Sequence, residues 1–256
     1  MSNEMDAPII LSEVRSGAGI ITLNRPEKRN AFSPEMVREL RRTLHQFDED
    51  EEVKVIILTG AGSAFCAGAD LQYLHELTQF NVTENLADSE QIASLFLDVY
   101  NLDKPVLAAV NGPAIAGGCG LATAADWIIA HPEAKFGYTE VKLGFVPAIV
   151  SFLLLARLPL AKSRQLLLSG DIINAESALG IQLIDCISDQ PLETSLAMAE
   201  KLMKNSPEGM KFVKQLLRRF DSPSAESAFS SAAAINALSR TGADFKAGLQ
   251  KFLDKQ

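Results

Sequence analysis

Two runs constrain this chain most: Val53 to Leu58 and Pro105 to Val110 are apolar at nearly every position. A strand with one wet face alternates apolar and polar residues. These runs do not, so they belong in a sheet covered on both faces. Such a sheet is assembled from alternating strands and helices, and the first two thirds of the chain has that rhythm. Ile9 to Arg15 and Ile20 to Leu23 are β-branched runs joined by Ser16-Gly17-Ala18-Gly19, a hairpin signal. Ser33-Pro34-Glu35 opens a helix running to about Phe47, with Met36, Leu40, Leu44 and Phe47 on one face. Further helices are predicted over Asn85 to Leu102 and from Ala116-Gly117-Gly118 through Ala125, with a strand over Trp127 to Ala130. After Pro147 strands nearly vanish. Pro191 to Asn205, Pro207 to Phe220, Pro223 to Ser239 and Ala243 to Leu253 read as consecutive helices. The expected division is an α/β core over 1–190 and a helical region over 191–256.

Charge narrows the function. Among 256 residues, 24 are basic and 32 acidic, a formal net charge of −8 that lacks the footprint of a nucleic-acid binder. The longest nearly apolar stretch, Phe145 to Ala156, contains Pro147 and is too short to span a bilayer. Met1 to Asp6 carries acids where a signal or transit peptide carries bases, and three cysteines make no disulfide framework. The expectation is a cytoplasmic protein with neither nucleic-acid nor membrane partners.

Gly60-Ala61-Gly62-Ser63-Ala64-Phe65 follows a buried strand, where a dinucleotide fingerprint would sit. Phe65 replaces the third glycine and would block the close helix–strand approach. No phosphate-binding loop and no nucleophile elbow occurs. His45, His75 and His131, like Cys66, Cys119 and Cys186, lack ligand spacing, so no metal is expected. Two small-residue segments remain: Phe65 to Asp70, and Pro113 to Gly120 entering a helix. Glycine and alanine let a ligand approach the main chain, and free N–H groups at a helix start can hold an oxyanion. Taken alone, each segment reads first as a tight packing loop.

Taken together, spaced motifs resemble one family. They are Leu23-Asn24-Arg25-Pro26 with Asn30-Ala31, Leu58-Thr59-Gly60, Ala64 to Leu71, Lys104-Pro105-Val106 with Ala109-Val110-Asn111-Gly112, Ala134-Lys135-Phe136-Gly137, and Lys246-Ala247-Gly248 with Phe252. The chain resembles the enoyl-CoA hydratase/isomerase (crotonase) superfamily over essentially its whole length. The resemblance implies a spiral of ββα units capped by a C-terminal helical region that mediates assembly as a trimer or a dimer of trimers. It implies an acyl-CoA thioester substrate, with coenzyme A as part of the substrate and no separate cofactor. The thioester oxygen would sit between the N–H groups of Ala67 and Gly117. Contacts to CoA or substrate are implied at Lys28, Arg29, Cys66, Gly68, Ala69, Asp70, Leu71, Gly120, Phe252 and Lys255.

In the family's hydratases two glutamates share the chemistry. One matches Glu140, the expected general acid/base, whose apolar surroundings (Phe136, Val141, Leu143, Phe145) would raise its pKa. The other position is Gly120, with no acid nearby; Asp126 further along reads as structural. Glycine here, followed by Val141 to Val150, is similar to the bacterial methylglutaconyl-CoA hydratase-like branch. Three readings stay open: hydration of a 2-enoyl-CoA by a single glutamate, double-bond isomerisation or other enolate chemistry, and CoA-thioester binding without catalysis. Gly120 is also expected to open volume for a branched or bulky acyl group.

Overall fold

The structure, a computed structural model, describes residues 7–221 and 225–254. Strands β1 (Ile10–Arg15) and β2 (Ala18–Leu23) form the expected hairpin, with Ser16 and Gly17 both at positive φ, as a tight two-residue turn requires. Helix α1 (Pro34–Glu49) is capped by the Ser33 side chain, which accepts from the Met36 N–H, and buries the predicted face. Strand β3 (Val55–Gly60) leads through a loop to α2 (Leu71–Leu77) and α3 (Val82–Asn101). Helix α3 starts three residues earlier than predicted because Asn81 and Glu84 form a reciprocal capping box. Strands β4 (Val106–Val110) and β5 (Ala114–Ile115), helix α4 (Gly117–Thr123), and strands β6 (Trp127–Ala130) and β7 (Lys135–Gly137) follow. The remainder is α5 (Ala148–Arg157), α6 (Leu160–Ser169), β8 (Ile173–Asn174), α7 (Ala175–Gly180), β9 (Cys186–Ile187), α8 (Pro191–Leu202), α9 (Pro207–Asp221), α10 (Ala225–Thr241) and α11 (Ala243–Leu253). The expected start of α10 at Pro223 lies outside the described residues.

Six strands make one sheet in the order β1-β2-β3-β4-β6-β9, parallel except for the β1–β2 hairpin; β5, β7 and β8 make a second, smaller sheet. Alternate residues of the central strands enter different cores. Ile56, Leu58, Val106 and Ala108 pack with α1, α3 and the helices beyond. Val55, Ile57, Leu107 and Ala109 pack instead against Ala199, Leu192 and Leu196 of α8. Both faces are thus covered, as the unbroken apolar runs require. Helix α8 is the second face's cover, and without it Ile57 and Leu107 would be bare. Helix α10 likewise packs along α3 and α5. Among the described residues, no helix is long and apolar enough to cross a membrane.

Candidate active site

The loop after β3 is clamped from the segment after β2. Asn30, fully buried, donates through Nδ2 to Ala61 O (2.9 Å) and Ala64 O (2.8 Å), while its Oδ1 accepts from Arg25 N (2.9 Å). Arg25 pairs with Asp70 Oδ2 at 3.0 Å, and Asp70 Oδ1 caps α2 through Gln72 N. Phe32 N donates to Gly68 O (2.7 Å) and Asp70 N to Phe32 O (2.9 Å), a parallel bridge centred on Ala69. Gly68 sits at φ +87°, and a Cβ there would lie 3.0 Å from Ala116 Cβ and Ile115 O, so only glycine fits.

This geometry corrects one expectation. The Ala67 N–H donates to Arg29 O at 3.0 Å and is not available to a ligand. The free amide of this loop is two residues on, at Ala69, which lines the cavity and whose N–H has no partner among the described residues. The bridge explains why: in parallel pairing the flanking residues make the bonds, and the central N–H faces the other way.

The second loop aims its amide by strain. Ala116 lies at φ 51°, ψ −124°, a region costly for any residue with a Cβ, by about 1–3 kcal/mol. Its N–H is held by Gly137 O at 2.7 Å. The kink starts α4 at Gly117, whose N–H is a first-turn donor with no intrahelical partner. The loops touch: a Cβ at Gly68 would lie 3.5 Å from Gly117 N.

Glu140 lines the same cavity at the start of a short 3-10 turn, Glu140–Leu143. It is 7 % exposed, and its Oε2 has no hydrogen-bond partner among the described residues. Burial pushes the carboxyl up to about 7, opposed only by its own backbone N–H. A carboxyl titrating near neutrality beside two unpaired amides can move a proton next to a carbonyl whose oxygen those amides receive.

The cavity encloses about 1380 Å³. Lys28, Arg29, Ala69, Asp70 and Leu71 line it, as does α11 through Gly248, Lys251 and Leu253. Phe252 lies within α11, and Lys255 lies outside the described residues. Cys66, Gly68 and Gly120 are buried behind the wall rather than lining it. Burial pushes the Cys66 thiol up to about 12, leaving it neutral filler. The volume expected at Gly120 does not exist. A Cβ there would overlap Val150 Cγ1 and come within 3.3 Å of Phe96 Cε1, so these side chains already fill the place of a second carboxylate. Asp126 is structural as expected, accepting from Val106 N (2.7 Å) and Lys214 Nζ (2.5 Å).

Helix α3 carries Phe96, Ile92 and Asp88 along the cavity at four-residue spacing. Phe96 lies beside Gly117 and Gly120, so Asp88 stands about 12 Å away along the helix axis. There Asp88 pairs with the nearly buried Arg240 and accepts from Tyr73 Oη at 2.5 Å. Arg240 stacks over Phe145, 5.3 Å from the ring centre, and its Nε has no hydrogen-bond partner among the described residues. Sequence reasoning missed this polar end, because its residues lie far apart in the chain on three different helices. Among the described residues, no group of histidines, cysteines and carboxylates could hold a metal ion.

Comparison with known proteins agrees with this architecture. The profile of the enoyl-CoA hydratase/isomerase family matches residues 13–256. A Thermus thermophilus protein assigned as an enoyl-CoA hydratase is 41% identical over 239 residues, 93% of this chain and 94% of its own. The 2,3-dehydroadipyl-CoA hydratase of Escherichia coli is 32% identical over 241 residues, 93% of this chain and 92% of its own. A crystal structure of an enoyl-CoA hydratase/isomerase from Xanthobacter autotrophicus superposes with a TM-score of 0.89 at 29% identity, covering 97% of each chain. The twofold-covered sheet, the two touching amide loops and the matched length lead to one conclusion: this chain is an enzyme of the enoyl-CoA hydratase/isomerase family, with the crotonase fold.

Proposed function

We propose that the chain hydrates a 2-enoyl-CoA thioester with Glu140 as its only acid/base. The observation that carries this reading is the unpaired, buried Glu140 carboxylate in the cavity that also holds the free amides of Ala69 and Gly117. The thioester oxygen accepts from both amides. Glu140 takes a proton from water as the water oxygen bonds to Cβ, and the Cα–Cβ π electrons move onto the thioester as an enolate. Glu140 then returns the proton to Cα, and the enolate oxygen reverts to a carbonyl. Two preorganised donors on that oxygen supply the main electrostatic stabilisation. Lys28 and Arg29, at the cavity's rim, suit the phosphates of CoA, which enters as part of the substrate; no separate cofactor is invoked.

The polar cluster at Arg240 suits an acyl group with a polar far end, as in the substrate named for the Escherichia coli relative. Exposed Phe212, Val213, Leu216 and Leu217 on α9 form an apolar stripe that supports assembly as a trimer or dimer of trimers through the C-terminal helices. The free thiols suit a reducing, cytoplasmic setting.

Double-bond isomerisation is the second reading, favoured by Val150 and Phe96 occupying the second carboxylate's place. That chemistry needs one carboxylate and no water. Incubation with a 2-enoyl-CoA and a 3-enoyl-CoA in labelled water separates the two by mass. A gain of one water supports hydration. Deuteron exchange alone supports isomerisation, and binding without either removes the catalytic reading.

A further inference from the structure

Among the described residues, the carboxylate of Glu140 is hydrogen-bonded by nothing but its own main chain, so what fixes its distance from the Gly117 amide acts on the backbone on either side. One anchor is the main-chain bond from Ala116 N to Gly137 O. The second is a side chain. Tyr138 is fully buried, two residues before Glu140, and its Oη lies 2.7 Å from Thr123 Oγ1. Thr123 spends its own hydrogen on Cys119 O at 2.7 Å, so the phenol is the donor to Thr123. Burial holds the Tyr138 phenol well above its ordinary pKa and pushes the adjacent Cys119 thiol up to about 12; both stay neutral, and the phenol keeps its hydrogen. Thr123 ends the helix that Gly117 begins. The Glu140 segment is therefore pinned to both ends of α4: by main chain at Ala116 and by Tyr138 at Thr123.

We propose that Tyr138 is a positioning residue, whose hydrogen bond to Thr123 sets Glu140 against the Gly117 amide. The inference rests on the proposed role of that pair, and it makes Tyr138 part of the mechanism without contact with substrate, since Tyr138 does not line the cavity. A carboxylate displaced by a fraction of an ångström loses alignment with Cα while the binding surfaces stay intact.

The test is Tyr138→Phe, which keeps the ring and removes one O–H, read by kcat, by KM and by deuterium exchange at Cα of a saturated acyl-CoA. Exchange requires Glu140 and the two amides but neither water addition nor double-bond migration. It therefore reports on positioning even if the wild type proves not to hydrate. The expected result is a loss of roughly 10- to 100-fold in kcat and in exchange, with KM within about twofold. Thr123→Val should give the same loss, the double variant no more than either alone, and Thr123→Ser should restore the rate. Exchange and kcat within twofold of wild type in Tyr138→Phe, whatever the melting temperature, would overturn the proposal. So would full additivity in the double variant. Failure of hydration in the wild type, with exchange intact and sensitive to Tyr138, would instead count against the hydratase reading alone.

Discussion

The two loops that meet at the cavity are built in opposite ways. The first, between β3 and α2, is tied down by side chains: Asn30, Arg25, Asp70 and also Asn111, whose Nδ2 donates to Gly60 O (2.8 Å) and Gly62 O (2.9 Å). Its unusual backbone positions are both glycines, Gly62 and Gly68, at no intrinsic cost. The second loop presents its amide through Ala116, a residue held where a Cβ is unwelcome, with main-chain bonds as its support. The first loop gets its shape from clamps and the second from strain. The difference matters because, in the proposed mechanism, each contributes one donor to the same oxygen, and each should fail differently.

Glu140→Gln removes what both loops serve and should have the largest effect. We expect turnover to fall by about 10²–10⁴-fold with acyl-CoA binding within a few-fold, measured by steady-state kinetics and calorimetry. Retention of most turnover would remove Glu140 from the mechanism. Gly68→Ala attacks the clamped loop at the positive φ beside the Ala69 amide. It should cost about 1–3 kcal/mol of stability, and up to about 10²-fold in kcat as the Ala69 amide shifts, read by chemical denaturation and kinetics. Ala116→Gly attacks the strained loop and should do the reverse to stability: an unchanged or slightly higher melting temperature, with a few-fold lower kcat as the amide loses its fixed aim. Equal destabilisation by both variants would erase the distinction between the loops.

The pH dependence follows from burial. Glu140 must be ionised to take a proton, and its pKa is raised to about 7, so kcat/KM should rise with pH through that value and level above it. Stability runs the other way. The folded protein holds this proton more tightly than the unfolded chain, so the cost of the buried charge is absent below the ordinary value of 4.5 and complete above about 7. Between those limits Glu140→Gln should gain on wild type by about 1–3 kcal/mol, measured as denaturation curves at pH 4.5 and pH 8. A further variant, away from both loops, probes the packing at Gly120. Gly120→Ala should cost about 1–3 kcal/mol from overlap with Val150, and Val150→Ala should relieve it in the double variant.

The sheet was legible because unbroken apolar runs admit only a strand covered on both faces, and α1 because Ser33-Pro34 marks its start. Helix α8 was legible as a helix but not as a cover of the sheet, since nothing local in Pro191 to Leu202 reveals which face of a distant sheet it packs on. Glu140 and Gly117, which line one cavity, were singled out through motif resemblance. The other amide was assigned two residues early, because the choice between Ala67 and Ala69 depends on hydrogen bonds made by Arg29 and Phe32, which no local pattern encodes. Gly120 misled for a related reason: an absent side chain reads as space, whereas Val150, thirty residues away, already fills it. The positive φ of Ala116 was invisible, since alanine does not announce strain.

The most direct measurement is a crystal structure of the Glu140→Gln variant with a bound 2-enoyl-CoA. The account predicts the thioester oxygen within hydrogen-bond distance of both Ala69 N and Gly117 N, with Ala67 N still bonded to Arg29 O. A thioester carbonyl turned away from either amide, or seated on Ala67 N after release of Arg29 O, would contradict it.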